Sequence, residues 1–212
     1  MSDKRSRGRP RKFDVDRARD QMRNVFWRHG YEATSLEMLC GATAMNRPSL
    51  YAAFGDKRAI YRAALETFAE SAAGELGRAL DGPRTIREAL TAFFGAALDL
   101  YTGPFDQPLG CFVISTAQPM AAVDDDIREI LAVSLDRIDS ALERRLARAA
   151  DEGELSAGMQ SATLAALFSA VLQSLTIRAR AGAERATLDR IAAAAIQHLL
   201  GCGPSATTSD RR

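Results

Sequence analysis

An all-α fold of about nine helices is what this sequence predicts, and three observations predict it. Ala is frequent while Val, Ile, Tyr and Trp are sparse, a balance that favours helix over sheet. Apolar residues recur at spacings of three and four, and no stretch alternates apolar and polar residues as a half-buried strand does. Gly, Pro and capping residues fall at the edges of the periodic stretches. At 212 residues, 47% hydrophobic and 26% charged, the chain can bury a core without disulfide or metal staples.

The elements follow in order. Residues 1–12 hold six cations, one acid and no large apolar side chain beyond Met1, so they predict a disordered basic arm. Asp14 caps a first helix over about 15–29, with Ala18, Met22, Val25 and Phe26 on one face and Gly30 as its stop. Thr34 opens a short second helix, with Glu37 at capping-box spacing and Leu36, Leu39 and Cys40 on its apolar side. Asn46 caps a third, where Pro48 is tolerated in the first turn and Leu50 and Phe54 face inward. Asp56 caps a long fourth helix carrying Ile60, Ala64, Leu65 and Phe68. Five further segments are expected near 85–101, 109–120, 127–150, 161–181 and 184–200, followed by a frayed tail from Gly201. The predicted organisation is therefore an arm (1–12), a small helical domain (13–60), a larger one (61–200) and a tail (201–212).

Three cysteines, an odd number, argue against a disulfide framework and for a reducing cytoplasm. The polar N-terminus predicts no signal peptide. The apolar run near Thr163–Ile177 is interrupted by Ser169, Gln173 and Ser174 and is expected to be too short and too polar to cross a bilayer. Charge is divided unevenly. Residues 1–60 carry 13 Lys and Arg against 7 Asp and Glu, net +6, whereas 61–212 carry 15 against 20, net −5. A basic front on an acidic body points to a polyanion at the N-terminal end.

Three short helices within about 45 residues, the last two joined by a tight turn, fit a helix-turn-helix. The block Val25-Phe26-Trp27-Arg28-His29-Gly30-Tyr31-Glu32-Ala33-Thr34-Ser35, followed by Ser49-Leu50-Tyr51-Ala52-Ala53-Phe54-Gly55-Asp56-Lys57, closely resembles the DNA-binding domain of TetR-family transcriptional regulators. The resemblance is strong over about 13–68 and mostly architectural beyond. It implies a homodimeric, ligand-responsive regulator, usually a repressor, bound to a palindromic operator of double-stranded DNA. One departure from the family pattern is Ala44, where the turn between the second and third helices usually carries Gly.

In a helix-turn-helix the third helix enters the major groove with its N-terminal residues at the base edges. Arg47 is the long cation there, and Arg bidentate to guanine is the commonest specific contact. Asn46 and Pro48 flank it. Ser49 and Tyr51 resemble the family's phosphate-contacting hydroxyls, although Tyr51 also reads as a packed ring. Thr34 and Ser35 stand at a helix N-terminus, which suits a phosphate, and Thr34 also reads as a cap alone. Lys57 is expected to reach the backbone. In the arm, Arg7, Arg9 and Arg11 surround Gly8 and Pro10 in a run that resembles an AT-hook, reading a narrow minor groove. The same run also reads as an electrostatic tether.

By resemblance, the remaining helices form a sensor and dimer domain, with the fourth helix linking the two halves. Phe93, Phe94, Leu98, Tyr101, Phe105, Cys111, Phe112, Ser115, Gln118, Phe168 and Gln173 are candidate pocket residues for a small, largely apolar or aromatic effector. Leu164, Phe168, Val171, Leu172 and Leu175 on the eighth helix, with Leu188, Ile191, Ala195, Ile196 and Leu199 on the ninth, are candidates for a four-helix dimer interface. Cys111 opens the sixth helix, where helix N–H groups lower a thiol pKa, so a redox- or electrophile-sensing regulator of the same fold is the alternative function. The same Cys111 also reads as a small buried hydrophobe. Asp124, Asp125 and Asp126 read better as the acidic start of the seventh helix than as a cation site. With only His29 and His198 and no paired catalytic motif, neither an enzyme, a metal nor a cofactor is expected.

Overall fold

A computed structural model describes residues 14–103, 107–155 and 160–201. Among the described residues there are nine helices and no strands: α1 (Val15–Ala33), α2 (Leu36–Thr43), α3 (Arg47–Phe54), α4 (Lys57–Leu80), α5 (Ile86–Thr102), α6 (Phe112–Ala121), α7 (Asp125–Asp151), α8 (Ser161–Arg180) and α9 (Arg185–Leu199). The chain divides into two compact units between Ala64 and Leu65, inside α4. The expected basic arm, with Arg7, Arg9 and Arg11, lies outside the described residues, as do Phe105 and the tail beyond Gly201.

Local chemistry sets the ends of the N-terminal helices. Asp14 accepts the Arg17 N–H at 3.1 Å and caps α1. Gly30, at φ +73°, interrupts the helical path, and one further turn carries the chain to Ala33. The cap of α2 is Ser35, which accepts the Met38 N–H at 3.2 Å, and not Thr34. Thr34 is 1% exposed and its hydroxyl donates to the Gly30 carbonyl at 2.6 Å, which ties the kink of α1 to the start of α2. Ala44 closes α2 in the left-handed region, at φ 54°, and is the only non-glycine with positive φ among the described residues. Asn46 then caps α3 by accepting the Ser49 N–H at 2.9 Å. Asp56 accepts the Ala59 N–H at 2.8 Å as α4 begins.

The first unit packs Ala18, Met22, Phe26, Trp27, Leu39, Leu50, Ile60 and Tyr61 inside. Tyr61 is its fully buried centre, with ring centroids 5.0 Å from both Phe26 and Tyr31. Phe26, Trp27 and Tyr61 are its buried aromatics, and each removes roughly 150–250 Å² from water.

In the second unit, Thr85 and Glu88 form a full capping box at the start of α5. The sixth helix begins at Phe112 rather than near 109, because Leu109 and Gly110 both donate to the Tyr101 carbonyl (3.1 and 3.2 Å) and so belong to the turn before it. Asp124 accepts the Ile127 N–H at 3.2 Å, which makes the aspartate run the cap and first turn of α7. The core draws on α4, α5, α7, α8 and α9, with Leu90, Phe93, Phe94, Leu98, Leu142, Phe168 and Leu188 among its buried members. By length and composition alone α8 qualifies as a membrane span, which corrects the expectation from sequence. Packing decides against that reading: eight of its residues, from Leu164 to Ala179, are buried in the helical core, two of them Ser169 and Thr176.

Candidate nucleic-acid interface and effector cavity

In the first unit, α3 buries only Leu50 and half-buries Phe54. Asn46, Arg47, Pro48, Ser49, Tyr51, Ala52 and Ala53 are all exposed, and Tyr51 is 43% exposed. A helix of eight residues held by one buried leucine presents nearly its whole surface outward, and its polar atoms sit in its first turn. Tyr51 is therefore not a core ring. Ser35 is exposed at the start of α2. Thr34 is buried, its hydroxyl donating to the Gly30 carbonyl and its N–H to the Tyr31 carbonyl. Lys57 is half-exposed, its Nζ 3.5 Å from the Glu32 carbonyl and 4.3 Å from the centre of the Tyr31 ring. That cation–π contact holds the ammonium near the α1–α2 corner. Arg47 forms an ion pair with Glu37 of α2. From sequence alone Glu37 reads only as a capping residue, because a pair across two helices leaves no trace in sequence spacing.

In the second unit a mostly apolar cavity opens to solvent, and the empty space within it and at its open mouth together is about 540 Å³. Phe68, Ala69, Ala72, Ala73 and Leu76 of α4 line one wall; Val113 and Ile114 of α6, Leu135 and Ile138 of α7 and Leu172 of α8 line the others. Ser134, Ser169, Gln173 and Thr176 add polar atoms, together with Tyr101 and Cys111. Of the candidates drawn from sequence, Tyr101, Cys111 and Gln173 line this cavity. Phe93, Phe94, Leu98, Phe112 and Phe168 do not: each is at most 1% exposed and packs within the core. Ser115 donates to the Leu109 carbonyl at 3.3 Å, and Gln118 is exposed. The sequence signal that was missed is the run of small residues, Ala69, Ala72 and Ala73, whose short side chains leave the space that bulkier ones would fill.

Burial raises the Cys111 thiol above its ordinary pKa, although the N–H groups of Ile114 and Val113 pull the other way. Desolvation therefore outweighs the helix terminus, which favours the reading of Cys111 as a small hydrophobe over the thiolate alternative. Burial, with Cys111 nearby, raises the Tyr101 phenol as well.

The dimer candidates fall into two groups. Leu164, Phe168, Leu172, Leu175, Leu188 and Ile196 are buried within the protomer, leaving Val171, Ile191, Ala195 and Leu199 half-buried at the margin. The most apolar stripe of each helix serves the core. The outward faces carry Ala166, Leu167, Ala170 and Ile177 on α8 and Ala193 and Ala194 on α9, all exposed. Leu167 is 44% and Ile177 62% exposed.

Residues 20–70 match the family described as bacterial regulatory proteins, tetR family, and residues 87–195 match the tetracyclin repressor-like C-terminal domain. The chain belongs to the TetR family. It is similar to the HTH-type transcriptional repressor ComR of Escherichia coli, 34% identical over 89% of this chain and 90% of that protein. It is similar also to the E. coli repressor BdcR, 28% identical over 58% of this chain and 60% of that one. Among solved structures, a cysteine mutant of the TetR-family regulator CifR, complexed with 26-bp operator DNA, is 30% identical. That match has a TM-score of 0.77 over 89% of this chain and 98% of CifR. This TetR-family chain is thus a DNA-binding transcriptional repressor whose N-terminal unit is the family's helix-turn-helix.

Proposed function

We propose that this TetR-family chain is a homodimer that represses transcription from a palindromic operator and releases it when a small, largely apolar molecule enters the cavity of the second unit. The observation that carries the reading is α3, with one buried residue and a fully exposed first turn. In this reading Arg47 contacts a guanine edge, and Asn46 and Pro48 shape the helix start beside it. Ser49, Tyr51, Ser35 and Lys57 hold phosphates, which position the helix without specifying sequence. Arg7, Arg9 and Arg11 add charge from the arm.

The outward faces of α8 and α9 support the dimer. Two-fold packing of their Ala-rich surfaces covers Leu167 and Ile177 and sets two α3 helices about 34 Å apart, one turn of DNA. The cavity supports the effector: apolar walls take an aliphatic or aromatic body, and Ser134, Gln173 and Tyr101 orient its polar end. Release follows if the ligand prefers a conformer whose recognition helices are misplaced. The fourth helix gives Ile60 and Tyr61 to one unit and Phe68, Ala72 and Leu76 to the other, so it is the natural carrier of that preference. A repressor works where the DNA is, which in the bacterial relatives is the cytoplasm.

Selection of random duplexes on the purified protein tests the reading. An enriched palindrome is expected, and retention without an enriched sequence refutes it. The same duplex then screens for effectors: Ala72→Phe, which fills the cavity, keeps DNA binding and abolishes release by any apolar ligand that acts on the wild type.

A further inference from the structure

We propose that Glu37 is a positioning residue for base reading: its carboxylate, in the first turn of α2, orders the Arg47 guanidinium at the start of α3. Selectivity at the base Arg47 meets then rests on a pair of residues from two helices. The inference deepens the role proposed for Arg47 above and rests on it.

The pair joins Arg47 Nη2 to Glu37 Oε1, with the side chains 58% and 63% exposed. Several other surface pairs join residues three or four apart in sequence, as in Arg19–Asp16, Arg23–Asp20, Arg128–Asp125 and Arg148–Glu152, while Arg185–Asp99 also joins two helices. Glu37 and Arg47 come from separate helices of the helix-turn-helix. Exposed pairs add little to stability, so fold maintenance is a poor reason for this one. The donor inventory gives a better reason. Guanidinium has five N–H donors in a rigid fork, and a carboxylate at Nη2 leaves enough of them to meet O6 and N7 of a guanine together. An arginine already restrained by a carboxylate loses less rotamer freedom when it docks.

Glu37 also acts against binding. A carboxylate in the first turn of α2 lies close to the Ser35 cap and repels the DNA phosphates. Its presence therefore lowers total affinity and raises selectivity, two effects of opposite sign that one experiment separates.

The experiment uses the full chain and the selected palindrome. The base read by Arg47 is the position whose preference relaxes in Arg47→Ala, and a second duplex carries a substitution there. Affinities for both duplexes are measured for the wild type, Glu37→Gln, Glu37→Ala, Arg47→Ala and the double variants, at two salt concentrations and beside thermal unfolding. Glu37→Gln is expected to bind both duplexes more tightly, most clearly at low salt. Its ratio between them falls roughly two- to tenfold, the worth of ordering one long side chain. Glu37→Ala falls at least as far, and neither change lowers the ratio further once Arg47 is Ala. A uniform gain with an unchanged ratio overturns the proposal and leaves Glu37 a plain repulsive charge. A uniform loss with a lowered unfolding midpoint overturns it too, as a matter of α2 stability. If Arg47→Ala relaxes no position at all, the Arg47 reading itself fails, which is a different result from either.

Discussion

Two arginines set the two units side by side. Arg47 stands on the surface of the first, 58% exposed in its side chain and paired with an exposed carboxylate. Arg145 lies inside the second, its side chain 4% exposed, its Nη2 donating to the Arg84 carbonyl at 2.6 Å and lying 3.6 Å from Glu154. Glu154 in turn accepts the Ile86 N–H at 2.6 Å, so the two residues pin the turn before α5 to the end of α7. One arginine is placed to meet a partner outside the chain; the other is a strut. Chemistry at the surface of the first unit and shape inside the second are thus read by different rules.

The largest effect expected is at the strut. Arg145→Ala leaves the Arg84 carbonyl without its donor and Glu154 without its cation, and it empties the space the buried side chain fills. Losing a hydrogen bond to a charged group costs about 1.5–3 kcal/mol, and the emptied volume adds to that. Denaturant unfolding should show that loss. The guanidinium is not ideally satisfied, since its Nε and Nη1 find no hydrogen-bond partner among the described residues. Arg145→Met, which fills the volume without a charge, should therefore recover part of the loss. Equal destabilisation by Ala and Met would mean that the charge, and not the filled space, is what the site needs.

Arg47→Ala should do the reverse. It leaves the unfolding midpoint near that of the wild type, because an exposed pair contributes little. It weakens binding to the selected operator by about 1–3 kcal/mol and relaxes one position of each half-site. A fall in stability to match Arg145→Ala would erase the contrast between the units.

The uneven legibility of the sequence follows from the same contrast. The caps Asp14, Asn46 and Asp56 and the helix periods are local, so all nine helices were visible, and the outward residues of α3 follow from its one buried face. Thr34 misled because a threonine followed three residues later by an acid fits a capping box, whereas Ser35 one place on caps equally well and Thr34 fills the α1 kink. The cavity is less legible for a different reason. In sequence, aromatic residues look like its walls, yet Phe93, Phe94 and Phe168 pack on one another, and space opens where α4 carries alanines. Likewise the strongest apolar stripes of α8 and α9 belong to the core, and periodicity alone does not tell a core stripe from an interface. Tertiary neighbours decide both, and a single sequence does not name them.

Cys111 offers a smaller test of the second unit. Its folded pKa is raised by burial, so as pH rises past about 9 the unfolded chain gives up this proton while the folded one keeps it. The unfolded state then binds fewer protons, and stability falls with rising pH, by about 1.4 kcal/mol per unit between the two pKa values. Below that window the contribution is fully present. Cys111→Ser should flatten the alkaline limb of a stability–pH profile, and alkylation of Cys111 near pH 7.5 should be slow. Rapid alkylation at neutral pH would restore the thiolate reading that the burial argues against.

The smallest effect returns to the first unit. Ala44 holds φ 54° between the two helices of the motif, where its Cβ crowds its own backbone. Ala44→Gly removes that strain but gives the unfolded chain more freedom, and the two terms oppose. At a left-handed position relief of strain is the larger, so the variant should be more stable by about 1 kcal/mol. The change lies three residues before Arg47 and alters only the turn that aims α3. If the operator preference of Ala44→Gly is unchanged while stability rises, the strained alanine contributes nothing to the aim of α3. If stability rises and preference shifts, the strain helps set the angle at which α3 meets DNA, and the first unit too is governed by shape as well as by surface chemistry.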